Sequence, residues 1–355
     1  MQKKHNVSLF ALSRQYPKLF FPGKDQMDNS VAVCAVPNDP CLDSINPASW
    51  FLTFKKIRKF NPDFILFSFW HSFFSPSYLT IAYLAKRITR IPICYLCHNV
   101  FPHEKSLIDY LLVRYLFSTG DAFIVHSQQD YNKIIRIYPH AKIYKSPHPT
   151  YQIFTTYNKI DEDDAKFKLG LAGKKVLLFF GLIRKYKGLN YLLDAMRLLE
   201  SGQGYHLLLV GEFYESKKQY QKSLDSLAKK KQLTLVDRYV PNEDVPLYFS
   251  AADLVVTPYI SASQSGVIQI AYGFLKPVIA TTVGGLPDVV IDGQTGYLVP
   301  PGDASAIAKA ARRFFEQNEG KKLKKNIIHK REKFSWNKMV MIIEKMGTYI
   351  KESVG

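Results

Sequence analysis

Cysteine is scarce in this chain: four in 355 residues, Cys34, Cys41, Cys94 and Cys97. That excludes a disulfide-built scaffold, which needs a far denser supply. Cys94 and Cys97 do form a C-x-x-C pair. A redox pair of that kind opens a helix, and a zinc site needs a second pair. The surroundings, IPICYLCHNV, are an apolar strand instead, so both thiols read as core residues. A long hydrophobic run is also missing. The most apolar stretch, Phe64 to Ala85, is interrupted by His71, Pro76 and several serines. A membrane span needs about 20 mostly apolar residues. No secretory signal pattern is seen, so a cytoplasmic setting is expected. Acidic residues are the third scarcity: 30 against 48 Lys and Arg, a formal net charge of +18.

What is present is a globular composition, 47% hydrophobic and 22% charged. The length exceeds what one core usually holds and predicts two domains. The basic excess is denser over residues 1–160, which include the run Lys55, Lys56, Arg58 and Lys59. Such charge attracts phosphates on nucleic acid, on anionic lipid or on a phosphorylated substrate. The helical stretch Trp50–Phe60 sets that run beside Phe51, Leu52, Phe54 and Ile57. This leaves an anionic membrane surface open as a partner.

Apolar runs alternate with helical patterns along the chain. Strands are predicted at Val7–Leu12, Phe64–Phe69, Ile93–Cys97 and Ala122–Val125, with helices near 47–60, 77–89, 105–118 and 128–138. A second series follows at Lys175–Phe180, His206–Val210, Thr234–Val236, Leu254–Thr257 and Val278–Ala280. Its helices lie near 188–200, 217–231, 243–251, 266–274 and 303–317. The alternation predicts an α/β protein with two doubly wound, parallel sheets. The first domain is placed at 1–155 and the second at 165–335, with a short leading helix in the linker. The tail begins with Lys321, Lys322, Lys324 and Lys325 and ends as an amphipathic helix around Trp336–Ile350.

Ligands of such sheets sit beyond the carboxyl ends of the strands. After Lys175–Phe180 comes Gly181-Leu-Ile-Arg184-Lys-Tyr-Lys187-Gly188, then a helix. Gly181 permits a tight turn. Two cations beside a helix N-terminus make a phosphate site. Gly211-Glu212 follows the next strand. Ser261-Ala-Ser263-Gln264-Ser265-Gly266-Val267 then leads into another helix, whose free N–H groups face the same end. Gly284 and Gly285 allow close backbone approach, and Asp292–Gly296 reads as a hairpin turn. In the first domain, Cys97-His98-Asn99 ends an apolar strand, and a His there can act as base or bond a sugar. Trp70-His71 and His126-Ser127 occupy matching strand ends. A structural role is expected for His126, and Asp130 reads as a surface residue.

Taken in order, FFGLIRKYKGLNYLL, LLLVGE, AADLVVTPY, SGVIQIAYGFLKPVIATTVGGLPDVV and DGQTGYLVPPGD resemble the GT-B glycosyltransferases of family 4, over roughly residues 174–320. The resemblance implies two Rossmann-like domains facing a cleft, with acceptor binding in the first and a nucleotide-sugar donor in the second. It implies transfer with retention, no metal or other cofactor, and a UDP- or GDP-sugar donor. Arg184 and Lys187 would hold the diphosphate. Gly181, Glu212, Gln264, Ser265, Gly266, Val267 and Gln269 would complete the donor site. His98 would join the two cations in catalysis, and His71, His103 and Glu104 would face the acceptor. The C-terminal helix 336–355 would return to the first domain. The expected acceptor is a glycan or lipid-linked glycan, in bacterial surface polysaccharide synthesis, with the enzyme cytoplasmic and open to peripheral membrane binding.

Two departures from the family stand out. Its paired glutamates, eight apart, fall on Ala262 and Ile270, and no acid occurs between Ser261 and Lys276. Gln269, one place away, is the substitute considered for the ribose-binding acid. At the other end, Met1–Asn6 runs straight into Val7–Leu12 and no glycine precedes Gly23. The first strand–loop–helix unit is therefore read as missing. These departures support one alternative, a non-catalytic partner that binds sugar nucleotides. Charge alone suggests a nucleic-acid binder, but no module for it is present. A GT-B epimerase is a third reading.

Overall fold

The computed structural model describes residues 4–17, 30, 36–101, 106–156, 160–199 and 201–354. They fall into two compact units. The first takes the described residues up to Pro147, apart from Ser30, together with the segment from Trp336 onward; the second takes His148–Ser335 and Ser30.

The first unit contains a parallel pair, β1 (Phe10–Arg14) and β2 (Asp39–Asp43), whose register is irregular. Helix α1 (Pro47–Phe60) starts where Asn46 accepts a hydrogen bond from the Ala48 N–H, and it stops at Asn61, left-handed at φ 51°. Four parallel strands follow, β3 (Ile65–Phe69), β4 (Ile93–Cys97), β5 (Ala122–Val125) and β6 (Ile143–Lys145), paired in chain order. Between them run α2 (Ser75–Leu84), which ends in a wider turn at Ala85–Thr89, α3 (Leu107–Phe117) and α4 (Gln128–Ile137). These helices cover one sheet face, where Phe54, Ile57, Ile81, Val113 and Leu116 meet Phe69, Tyr95 and Val125.

The second unit holds a six-stranded parallel sheet. Its strands are β7 (Lys175–Phe180), β8 (Tyr205–Val210), β9 (Leu233–Val236), β10 (Leu254–Thr257), β11 (Val278–Thr281) and β12 (Gly296–Val299). Helices α5 (Glu162–Lys168), α6 (Leu189–Leu198), α7 (Gln221–Lys229), α8 (Val245–Ala251), α9 (Gly266–Gly273), α10 (Ala304–Glu316) and α11 (Gly320–Lys330) fill the connections, and both faces carry buried cores. The sheet order is β12-β11-β10-β7-β8-β9. From β7 the chain builds outward to β9, then returns to place β10 on the other side of β7. The switch point therefore lies between β7 and β10, and doubly wound sheets open a crevice there.

The last helix, α12 (Trp336–Val354), lies on the free face of the first unit's sheet. Met339, Ile343, Met346 and Ile350 pack there against Cys94, Ala122 and Ile124.

Three local expectations are corrected. The turn at Asp292–Gly296 is no hairpin: it leads into β12, which runs parallel to β11 from Val278 opposite Gly296. A Cβ at Gly296 would stand 2.0 Å from the Val278 carbonyl oxygen, so only glycine lets the strands approach this closely. Phe54 and Ile57 of α1 are core residues and do not share the outer face of Lys55, Lys56, Arg58 and Lys59. Asp130 is fully buried and accepts hydrogen bonds from Ser127 (2.9 Å) and Lys133 (2.8 Å) at the start of α4.

Candidate functional site

In the second unit, the turn after β7 and the N-terminus of α9 meet at the switch point. Gly181 ends β7 at φ 96°, and a Cβ placed on it would lie 3.2 Å from the Lys187 Nζ and 3.8 Å from Val267 Cγ2. The ammonium thus sits over the strand end, beside the first turn of α9. The turn itself is pinned from two sides. Ile260 N–H donates to the Tyr186 carbonyl at 2.7 Å. Gly188, at φ 65°, presses on β10 so closely that a Cβ would stand 2.0 Å from the Pro258 oxygen. The mouth of β8 lies alongside. Gly211 occupies a conformation, φ 146°, in which a Cβ would be 2.1 Å from the Gly181 oxygen, and Ile183 N–H donates to the Glu212 carbonyl at 2.8 Å.

Lys187 is 9% exposed, and its ammonium lies 5.8 Å from the Tyr259 ring centre. Burial, and secondarily the charge of Arg184, lower its pKa from 10.5 to about 8. Arg184 is exposed, with its guanidinium carbon 5.2 Å from the Tyr214 ring centre. Among the described residues neither cation has a salt-bridge partner. A buried cation without a carboxylate is costly unless an anion completes it. Ser265 caps α9, accepting from Ile268 N–H at 3.4 Å, and Gly266 beyond it is exposed. Backbone N–H groups and cations here offer the chemistry that holds a phosphate. Gln264 and Glu212 are half-buried around this mouth. Gln269 is 1% exposed, and its Oε1 has no hydrogen-bond partner among the described residues. Ala262 and Ile270 are buried among apolar side chains.

The sequence reading passed over Tyr214 and Tyr259, the rings beneath the two cations. Tyr259 stands two residues past the end of β10 and Tyr214 four past the end of β8, a placement at the sheet's carboxyl end that could have pointed to them. In loops, however, aromatic residues ordinarily read as packing.

In the first unit, His98 ends β4. Its Nε2 lies 3.0 Å from the Ser68 Oγ, and its ring centre is 5.1 Å from that of His126. His126 is buried, and its Nδ1 lies 2.8 Å from the Ser146 carbonyl oxygen. His71 Nδ1 accepts from Phe73 N–H at 3.1 Å and caps the short turn before α2. This contact serves the fold. His103 and Glu104 lie outside the described residues.

A family model described as Glycosyl transferases group 1 matches residues 161–334, and one described as Glycosyltransferase Family 4 matches residues 1–148. The chain is a glycosyltransferase of this group 1 and family 4 type. D-inositol 3-phosphate glycosyltransferases of Corynebacterium glutamicum and Corynebacterium diphtheriae are each 24% identical to it. The matches cover 80% and 67% of this chain, but 72% and 60% of those relatives. Among solved structures, Anabaena HepE in complex with UDP superposes with a TM-score of 0.70 at 18% identity, over 86% of this chain and 82% of that one. The fold of this glycosyltransferase is accordingly GT-B.

Proposed function

We propose that this glycosyltransferase binds a nucleotide-diphosphate sugar in its second unit and transfers the sugar, with retention, to a glycan or lipid-linked glycan. The observation that carries the donor reading is Lys187, a buried ammonium with no acid partner among the described residues, seated on Gly181 beside Val267 of α9. Arg184 and Lys187 stabilise the departing diphosphate, a task that falls to metal ions in other sites. Ser265, Gly266 and Val267 present the helix N-terminus, Gly181 and Glu212 frame the mouth, and Gln264 and Gln269 supply amides toward sugar and ribose. The HepE structures in complex with UDP and with UDP-glucose support the donor class. His98 is the proposed catalytic group of the first unit, with His71, His103 and Glu104 toward the acceptor. The names of the corynebacterial relatives make a phosphorylated polyol the competing acceptor.

A donor-transfer assay with UDP- and GDP-sugars, run with and without a chelator, tests this. Arg184→Ala and Lys187→Ala should each cut turnover by about 100-fold or more, the scale on which losing one transition-state donor is felt. Wild-type turnover in both variants would sink the mechanism. The buried apolar side chains at 262 and 270 favour a second reading, a binding-only protein. Calorimetry showing nucleotide binding, with no hydrolysis or transfer for any acceptor, would select it.

A further inference from the structure

Helix α3 is apolar on two opposite faces. Val113, Leu116 and Phe117 are buried in the first unit's core. Leu107, Leu111 and Tyr115, at i, i+4 and i+8, form a stripe on the other side, with Ile108 beside it. Leu107 is 74% exposed, Ile108 68% and Tyr115 62%. A helix with apolar residues all round is ordinarily covered on every side, and an exposed patch of this kind marks an interaction surface.

The charges near the stripe select what covers it. Arg114 lies in it and is exposed. The one acid on α3, Asp109, is turned to the N-terminus, where Ser106 and Ser72 donate to it and hold its carboxyl below the usual range despite burial pushing it up. The neighbouring α2 and its terminal turn add exposed Tyr83 and Ile88, with Arg87 6.0 Å over the Tyr83 ring. Helix α1, which packs against α2, carries exposed Phe51 and Leu52 and four further cations, of which Lys56 pairs with Asp39. A second copy of a chain carrying +18 would bring like charge to like charge. An anionic lipid surface instead takes apolar side chains below its headgroups and cations at their level.

We propose that the outer face of α3 docks this protein on an anionic membrane surface through Leu107, Ile108, Leu111 and Tyr115, with Arg114 at the headgroups. The proposal rests on the first unit alone and stands apart from the donor reading. The test is co-sedimentation of the full chain with phosphatidylcholine vesicles, with and without phosphatidylglycerol. The wild type should pellet with the phosphatidylglycerol vesicles and much less with the neutral ones. Leu111→Asp combined with Tyr115→Asp should weaken that binding by about tenfold or more, and Arg114→Glu alone by a few-fold. All three positions are exposed, so the melting temperature and the UDP-induced thermal shift should stay at wild-type values. Failure of the wild type to bind, or equal binding by the double variant, would overturn the proposal. A dimer in sedimentation velocity that the double variant abolishes would also overturn it, in favour of a second copy. Loss of UDP binding with vesicle binding intact would count against the donor reading only.

Discussion

Lys187 combines burial with a charge that no acid answers among the described residues, and that combination has a pH signature. In the free protein its pKa is about 8. A bound diphosphate favours the ammonium and raises that value, so binding near pH 8 takes up a proton. Affinity for UDP should be flat below this pH and fall as pH rises through it, by up to about tenfold per unit. The effect on stability has the opposite sign. Unfolded Lys keeps its proton to 10.5, so burying the ammonium costs stability at neutral pH, and that cost fades between about 8 and 10.5. Calorimetry in two buffers of different ionisation enthalpy measures the proton uptake directly. Zero uptake at pH 8 would show that Lys187 does not face the phosphates. At this scale the strand-end position of Gly181, Arg184 and Lys187 was legible, because the apolar run before them marks β7. The rings of Tyr214 and Tyr259 were not, because nothing local separates a ring under a cation from one in a core. Nor was the burial of Asp130, since a helix-capping acid reads as exposed until its Ser127 and Lys133 partners close over it.

Among the elements, α5 is fastened to the sheet by charge. Asp253, just before β10, accepts the Val176 N–H of β7 at 2.7 Å and the Lys166 ammonium of α5 at 2.7 Å. Lys276 donates to Glu162 of α5 at 2.8 Å and to the Ser250 carbonyl at 3.0 Å. Burial pushes Glu162 up, yet Lys276 and Lys166 hold it lower on balance. Its contribution is therefore present at neutral pH and lost as acid protonates it. Asp253→Ala removes both acceptors and should cost about 3 kcal/mol, whereas Asp253→Asn keeps one and should cost about 1 kcal/mol. Urea unfolding reads the difference, and equal midpoints for the two would show that the charge network is incidental. The long apolar strands were readable from the alternation of strand and helix. Others lacked a signal: β2 carries two Asp and a Pro, β6 has three residues, and β12 hides behind a turn. In α11 the many lysines conceal that Leu323 and Ile327 face the core.

The whole molecule is two units, each with buried cores of its own, joined by a chain that passes to the second and comes back. Helix α12 follows the second unit yet completes the first, covering a sheet whose strands lie between Ile65 and Lys145. Met346→Asp would put a carboxylate into the layer between α12 and β4–β5 and should cost the first unit about 4 kcal/mol. The second unit, with cores of its own, should keep its UDP-shifted melting transition. Differential scanning calorimetry with and without UDP distinguishes the two. Loss of the UDP shift together with the first unit's transition would mean that the cores are not independent.

The two thiols of β4 lie on opposite faces of one strand. Cys94 lies under α12, and Cys97 lies under the α1–α3 layer. Burial pushes both thiols far above their ordinary range, so neither is nucleophilic in the native state. They cannot pair with each other across the strand. Each becomes alkylable only when its own cover lifts. A pulse of maleimide followed by peptide mapping would therefore time two separate openings: Cys94 reports the return of the C-terminal helix, and Cys97 reports the loosening of the helices that carry the outward stripe.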